Sequence, residues 1–203
     1  PYYRVISDNK DLTFSPKIFF DDNVLLQSEY RQKNKNSDLI TDQSINFNDD
    51  STRSHFFGNF KNSTENYEYE LNIESTSNKN YLKKYEVTSP LIDDNMNLNS
   101  FISFEKDFDN SYFFTSFEVF EDLTKNDSDS YEYIYPNYLF NKQINSNTPG
   151  SVEFNTSGYQ KKYDTNRYDA VIVNDIKYNS LQNISKTGSI NNFSFILKNL
   201  NTA

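Results

Sequence analysis

An all-β fold of long antiparallel strands is the architecture this sequence of 203 residues predicts. Three observations predict it. Apolar and polar residues alternate with period two over most of the chain, and a strand sends successive side chains to opposite faces. Aromatic residues reach 17% although hydrophobic residues total only 35%. A disordered chain loses both classes together, whereas half-buried pleated surfaces retain aromatic and β-branched residues. Finally, Asn and Asp cluster between the apolar stretches, where they favour turns.

The clearest element is NYEYELNIES, where Tyr67, Tyr69, Leu71 and Ile73 share one face and Glu68, Glu70, Asn72 and Glu74 the other. Helical spacing would scatter the glutamates around an axis. From the start of the chain, DLTFSPKIFF places Leu12, Phe14, Pro16, Ile18 and Phe20 opposite Asp11, Thr13, Ser15 and Lys17. Asp21, Asp22 and Asn23 make a turn. NVLLQSEYRQ follows, with Val24, Leu26 and Tyr30 opposite Gln27, Glu29 and Arg31. A polar tract, KNKNSD, then leads to weaker strands at Ile40–Phe47 and Arg53–Phe60. Met96, Leu98, Ile102 and Phe104 alternate against Asn97, Asn99, Ser103 and Glu105. SYFFTSFEVF, YEYIYPNYLF, SVEFNTSGYQ, RYDAVIVNDIKY and NNFSFILKNL complete a series of about ten or eleven strands. No helical-period segment stands out.

Strand length separates the all-β classes. Runs of about ten residues match the ~9–11 that cross a bilayer at a tilt, against about five or six in soluble sheets. The expected fold is therefore a segment of an antiparallel transmembrane β-barrel. Links at Asp21–Asn23 and Asp109–Asn110 read as short, those at Lys33–Asp38 and Leu123–Ser130 as long and polar, the asymmetry of barrel turns and outer loops. A soluble meander or sandwich is the alternative. Unpaired strand edges are costly in lipid, so more chain is expected on both sides.

Charge and composition narrow the functions. A net charge of -9 argues against nucleic acid as a partner, because phosphate binding needs a basic face. With no cysteine, disulfides, zinc thiolates and thiol nucleophiles are excluded from this segment. No apolar run approaches the ~18 residues of a membrane helix, and PYYRVISDNK is not a signal peptide. The strand pattern favours a piece of a longer exported protein over a cytosolic one.

The opening stretch PYYRVISDNKDLTFSPKIFFDDNVLLQSEYRQ carries a family resemblance through Pro1, Tyr2, Tyr3, Ile6, Asp11, Leu12, Thr13, Pro16, Glu29, Tyr30 and Arg31. It resembles the early barrel of the LptD (OstA/Imp) family of lipopolysaccharide-assembly proteins. Softer matches are Asn80–Tyr85, the pair FFTSFEVFED and YEYIYPNYLF, and Arg167–Tyr178. The chain departs from the family in lacking Trp and in its shorter, Asn-rich loops. The resemblance implies that residues 1–203 are the early strands of a larger barrel in the Gram-negative outer membrane. It also implies lipopolysaccharide as cargo, an LptE-like lipoprotein plug, outer-membrane lipid around the wall, and periplasmic bridge proteins docking on a jelly-roll domain outside this chain. The seam between first and last strands would release the lipid. Rival functions are another outer-membrane barrel, such as a porin or receptor, and a soluble β-rich binding protein.

No catalytic residue, metal site or cofactor is expected. Asp11, Thr13, Lys17, Glu68, Glu70 and Asn72 are the expected lumen-facing residues, and Pro16, which gives the ladder no N–H, is the expected weak point near the seam. His55, the single histidine, reads as structural or rim, because the sequence offers no visible partners for a triad or metal site. The pairs Asp21–Asp22, Asp49–Asp50 and Asp93–Asp94 suit turns, with divalent-cation binding as the alternative. Asn126–Ser130 hints at a calcium loop but lacks its glycine and final glutamate. Glu68, Glu70 and Glu74 line one strand face and so do not flank a sugar as glycosidase carboxylates must. The acceptor patterns at Asn62, Asn155 and Asn183 read as accidental in an Asn-rich chain.

Overall fold

The computed structural model describes residues 1–19, 24–48, 51–144, 149–164 and 167–203, apart from the side chains of 48, 51, 127 and 128. The Asp21–Asn23 turn, Phe20 and the Asp49–Asp50 pair lie outside the described residues.

Twelve strands form one antiparallel sheet in which each pairs with its chain neighbour. They are β1 (Tyr2–Ser7), β2 (Lys10–Ile18), β3 (Val24–Lys33), β4 (Ser37–Asn48), β5 (Ser51–Ser63), β6 (Tyr67–Thr76), β7 (Asn97–Phe108), β8 (Ser111–Asp122), β9 (Tyr131–Ile144), β10 (Gly150–Tyr163), β11 (Arg167–Ser180) and β14 (Ser194–Thr202). A two-stranded ribbon, β12 (Asn183–Ile184) and β13 (Ile190–Asn191), interrupts the link between β11 and β14. The sheet is open, with β1 and β14 as its edges. The only α-helical turn is α1 (Tyr81–Lys84) among the described residues.

The register separates two chemistries. Directly paired residues of antiparallel strands point to the same face. One row runs Leu39, Phe60, Leu71, Ile102 and Phe117 across β4 to β8. The adjacent row on the other face runs Asp38, Lys61, Glu70, Ser103, Ser116 and Asn137. Leu12, Phe14, Pro16, Leu26 and Ile45 extend the first face, as do Phe154, Ile176 and Leu197 at the far side. Many of its side chains are open, including Ile102 at 51% and Phe117 at 50% exposure. The ion pairs Arg31–Asp11, Lys61–Glu68, Lys161–Glu132 and Lys198–Asp175 lie on the second face.

Several expectations are corrected. The sheet holds twelve strands rather than ten or eleven, because β1 is a strand of its own, paired Tyr2 to Phe14 and Val5 to Asp11. Its six residues alternate too weakly to separate it from β2 by pattern. The Lys33–Asp38 link shrinks to 34–36, since Ser37 and Asp38 already pair with β5. The short and long links are exchanged at the start of the chain, where the β3–β4 link is the short one and the β2–β3 link the longer one. The β2–β3 link and the long 123–130 link share one rim, while 34–36 and Asp109–Asn110 share the other. Pro16 pairs with Leu26 beyond the last β1 residue, so β2 has only β3 beside it there.

Two local features mark the β9–β10 region of the sheet. A bulge in β9 puts Tyr135 and Pro136 between Ile134, opposite Glu118, and Asn137, opposite Ser116. Proline gives the ladder no donor, so a bulge is where a strand tolerates it. Across from it, Gly158 accepts the Tyr138 ring, because a Cβ there would lie 2.9 Å from that ring and 2.5 Å from the Val171 carbonyl oxygen.

The core lies on the polar face. Residues 77–96, between β6 and β7, fold back across that face and bring Tyr81, Leu82, Tyr85 and Val87 onto Leu25 and Phe57. Each such fully buried side chain contributes about 1.5–3 kcal/mol.

Candidate functional site

The six expected lumen residues occupy one face. Thr13 pairs with Glu29, Glu29 with Asp42, Asp42 with Phe57 and Phe57 with Glu74, which links β2 to β6 in register. Asp11 and Lys17 alternate with Thr13, and Glu68, Glu70 and Asn72 with Glu74, so all share that face. Pro16 is on the opposite one.

This face has a covered part and a bare part. In the covered part, four side chains meet the 77–96 segment. Lys17 Nζ donates to the Glu86 carbonyl at 3.0 Å, and Gln27 Nε2 to the Thr88 carbonyl at 3.0 Å. The Tyr85 hydroxyl donates to Asn46 Oδ1 at 2.9 Å, and Ser44 Oγ lies 2.7 Å from the Tyr81 hydroxyl. Beneath them, Ser44 Oγ is 2.6 Å from His55 Nδ1, and His55 Nε2 is 3.4 Å from Asp42 Oδ1. Gln27 Nε2 donates to both Asp42 oxygens at 3.0 and 3.1 Å. His55 also stacks on Phe57 with ring centroids 4.4 Å apart.

His55 therefore has the partners the sequence seemed to deny it, and it is buried rather than at a rim. Ser44, His55 and Asp42 even resemble a nucleophile, base and orienting acid. The chemistry does not follow from the geometry. Ser44 is buried under Tyr81 with its hydroxyl engaged, and the His55–Asp42 approach lacks hydrogen-bond geometry, leaving Nε2 without a hydrogen-bond partner. A triad needs an accessible hydroxyl and donors aimed at an oxyanion. The cluster is a polar latch beneath the covering segment. The β4–β5 register that pairs Asn48 with Ser51 also pairs Ser44 with His55.

The bare part runs from β6 to β14. Its carboxylates are mostly occupied by neighbours. Asn59 Nδ2 donates to Glu70 at 2.7 Å, the Tyr112 hydroxyl to Glu105 at 3.0 Å and Asn141 Nδ2 to Glu153 at 2.7 Å. Lys61 reaches Glu68 at 2.5 Å and Lys198 reaches Asp175 at 3.3 Å. This face thus offers a field of oriented amides, hydroxyls and paired charges. No group of acidic or histidine side chains suited to holding a metal ion occurs among the described residues.

At the rim formed by Asp8–Asn9 and 34–36, a groove of about 440 Å³ opens beside β1. Tyr3 and Val5 give it an apolar side, while Asp11, Arg31, Lys33 and Asp38 supply charge. Arg31 Nε donates to Asp11 at 2.8 Å across the β2–β3 pair. At the other rim, Asp94 Oδ1 accepts the Met96 and Asn97 amides at 2.6 and 2.8 Å and closes the return into β7. Those bonds hold the Asp94 carboxyl below the usual aspartate range. The Asn126–Ser130 stretch forms a short 3₁₀ turn over Asp127–Ser130.

Comparison with protein-family models and with curated proteins finds no match to this chain.

Proposed function

We propose that this chain is wall from a transmembrane β-barrel of the Gram-negative outer membrane, with the apolar face toward lipid and the polar face toward a wet interior. The observation that carries the reading is the sidedness of the register. The row Leu39, Phe60, Leu71, Ile102 and Phe117 is apolar, while the adjacent row Asp38, Lys61, Glu70, Ser103 and Ser116 and the Lys61–Glu68 ion pair lie on the opposite face. In water a continuous apolar sheet face is an aggregation surface, whereas hydrocarbon solvates it. Barrels in lipid close because unpaired edges there cost several kcal/mol per group, so β1 and β14 are read as meeting further strands.

The cargo reading rests on the resemblance of Pro1–Arg31 to the LptD family. Lipopolysaccharide is amphipathic, and guiding it requires no bond to be made or broken. Its sugars and phosphates suit a hydrated wall, and pairing of the wall carboxylates with Lys, Asn and Tyr tempers an acidic lining that would repel phosphate. Asp11, Thr13, Lys17, Glu68, Glu70 and Asn72 are the wall residues assigned to this interior. Pro16 is assigned to weak pairing beside the seam. A lipoprotein plug inside the barrel and periplasmic bridge proteins upstream are the partners this reading brings with it.

The test is photo-crosslinking in the full-length parent, with the probe at Glu70 or at Tyr69. Lipopolysaccharide captured at Glu70 and not at Tyr69 is expected. Capture at neither position, with the parent in the soluble fraction, contradicts the barrel. Membrane location without capture at any inward position leaves a barrel with another cargo.

A further inference from the structure

We infer that residues 77–96 are a built-in constriction, fixed against β2–β5, that confines solute to the β6–β11 side of the barrel interior. The inference rests on the barrel reading above and specifies which part of the wall is in use. The segment leaves β6 and returns to β7. Its start also bonds to Lys125 beyond β8, and its cluster takes in Leu98 and Leu123, yet its hydrogen bonds to the polar face reach Lys17 on β2, Gln27 on β3 and Ser44 and Asn46 on β4, and it packs with Phe57 on β5. Neighbouring strands lie about 4.8 Å apart, so reaching from β6 to β2 covers roughly 19 Å of wall.

The wall is built to receive it. Leu25 and Phe57 are apolar side chains of this face that are fully buried, in one cluster with residues of the segment. The segment answers with Tyr81, Leu82, Tyr85 and Val87, each 2% exposed or less. Its tyrosines combine apolar rings with hydroxyls that reach Ser44 and Asn46, so neither wall residue is left unsatisfied. Asp42, Ser44 and His55 are thereby sealed from the interior. Such packing describes a fixed element rather than a mobile flap.

Lys83, Lys84 and Glu86 remain exposed on the segment. They put charge on the segment's exposed surface, with Lys84 Nζ 5.4 Å from the Tyr85 ring centroid. Glu70, Ser103, Glu105, Tyr112 and Asn141 then form the wall along which a solute travels.

The full-length parent, reconstituted into planar bilayers and sugar-loaded vesicles, tests this. Residues 81–88 are replaced by a Gly/Ser stretch of equal length, and a second variant carries Tyr81→Phe with Tyr85→Phe. Single-channel conductance is expected to rise severalfold in the first and to a smaller extent in the second, with larger sugars escaping from vesicles. Inserted variants whose conductance and size limit match the parent overturn the constriction while leaving the barrel intact. A parent that never inserts overturns both readings together. Should the Gly/Ser variant fail to insert, the double Phe variant, which keeps both rings, decides the outcome.

Discussion

The two halves of the polar face are built differently. Across β2–β5 its side chains are covered, and Leu25, Gln27, Asp42, Ser44, Asn46, His55 and Phe57 are all buried. Across β8–β14 no such cover lies on it among the described residues: Leu139 is 42% exposed, and the amide and carboxylate groups are satisfied mainly by neighbours within the sheet. The covered half behaves like a conventional two-layer core, a sheet packed against a folded segment. The bare half derives its order from the ladder and from cross-strand pairs alone. Stability in water should therefore concentrate in the first half, while the second depends on what surrounds the apolar face.

The largest expected effect is Phe57→Ala, which leaves a cavity under α1 and should cost about 3–5 kcal/mol of unfolding free energy. Leu139→Ala in the bare half should cost about 1 kcal/mol or less. Denaturant titration of both variants in the same detergent compares them directly, and equal losses would erase the distinction between the halves.

Next is Ile102→Lys, in the middle of the apolar row. Facing lipid, it should cost about 2–4 kcal/mol in bilayer refolding. Its neighbour Ser103→Lys, on the polar face beside Glu70, should be nearly neutral. A soluble sheet would tolerate both lysines alike, since Ile102 is already half exposed.

Smaller again are Tyr81→Phe and Tyr85→Phe, each removing a hydrogen bond worth about 1 kcal/mol. Ser44→Ala should cost somewhat more than Tyr81→Phe, because it strips a partner from both Tyr81 and His55. A double-mutant cycle between Ser44 and Tyr81 measures that coupling, and strict additivity would contradict the contact.

The smallest effect concerns the rim. Asp94 is held below the ordinary aspartate range by the Met96 and Asn97 amides and the Asn97 side chain. Its folded-state value lies below the unfolded one, so its stabilisation is complete above the unfolded value, near pH 4, and is lost as pH falls through the folded one. Hydrogen exchange at the Met96 and Asn97 amides should accelerate relative to reference amides below about pH 4. Asp94→Ala should abolish that pH dependence.

The strands were largely legible because their faces differ: β2, β3 and β6 through β11 alternate so strongly that period two alone locates them. β1 was hidden by six residues with weak contrast, and the links by polar residues that continue as strand, as at Ser37 and Asp38. The covering segment was illegible for another reason. Tyr81, Leu82, Tyr85 and Val87 have no strand period and only a four-residue helix, and their importance arises from where they land. Similarly, the Ser44–His55 contact depended on a register centred on residues 49–50 that strand periodicity alone does not supply.

The measurement that bears most directly on sidedness is a nitroxide scan of positions 67–76 in the full-length parent, reconstituted into lipid vesicles. Labels at Tyr67, Tyr69, Leu71 and Ile73 should collide with oxygen dissolved in the bilayer. Those at Glu68, Glu70 and Asn72 should collide with a water-soluble nickel chelate. A period-two alternation between the two reagents is the predicted result. Uniform access to the chelate at every position, on either face of β6, would contradict the account.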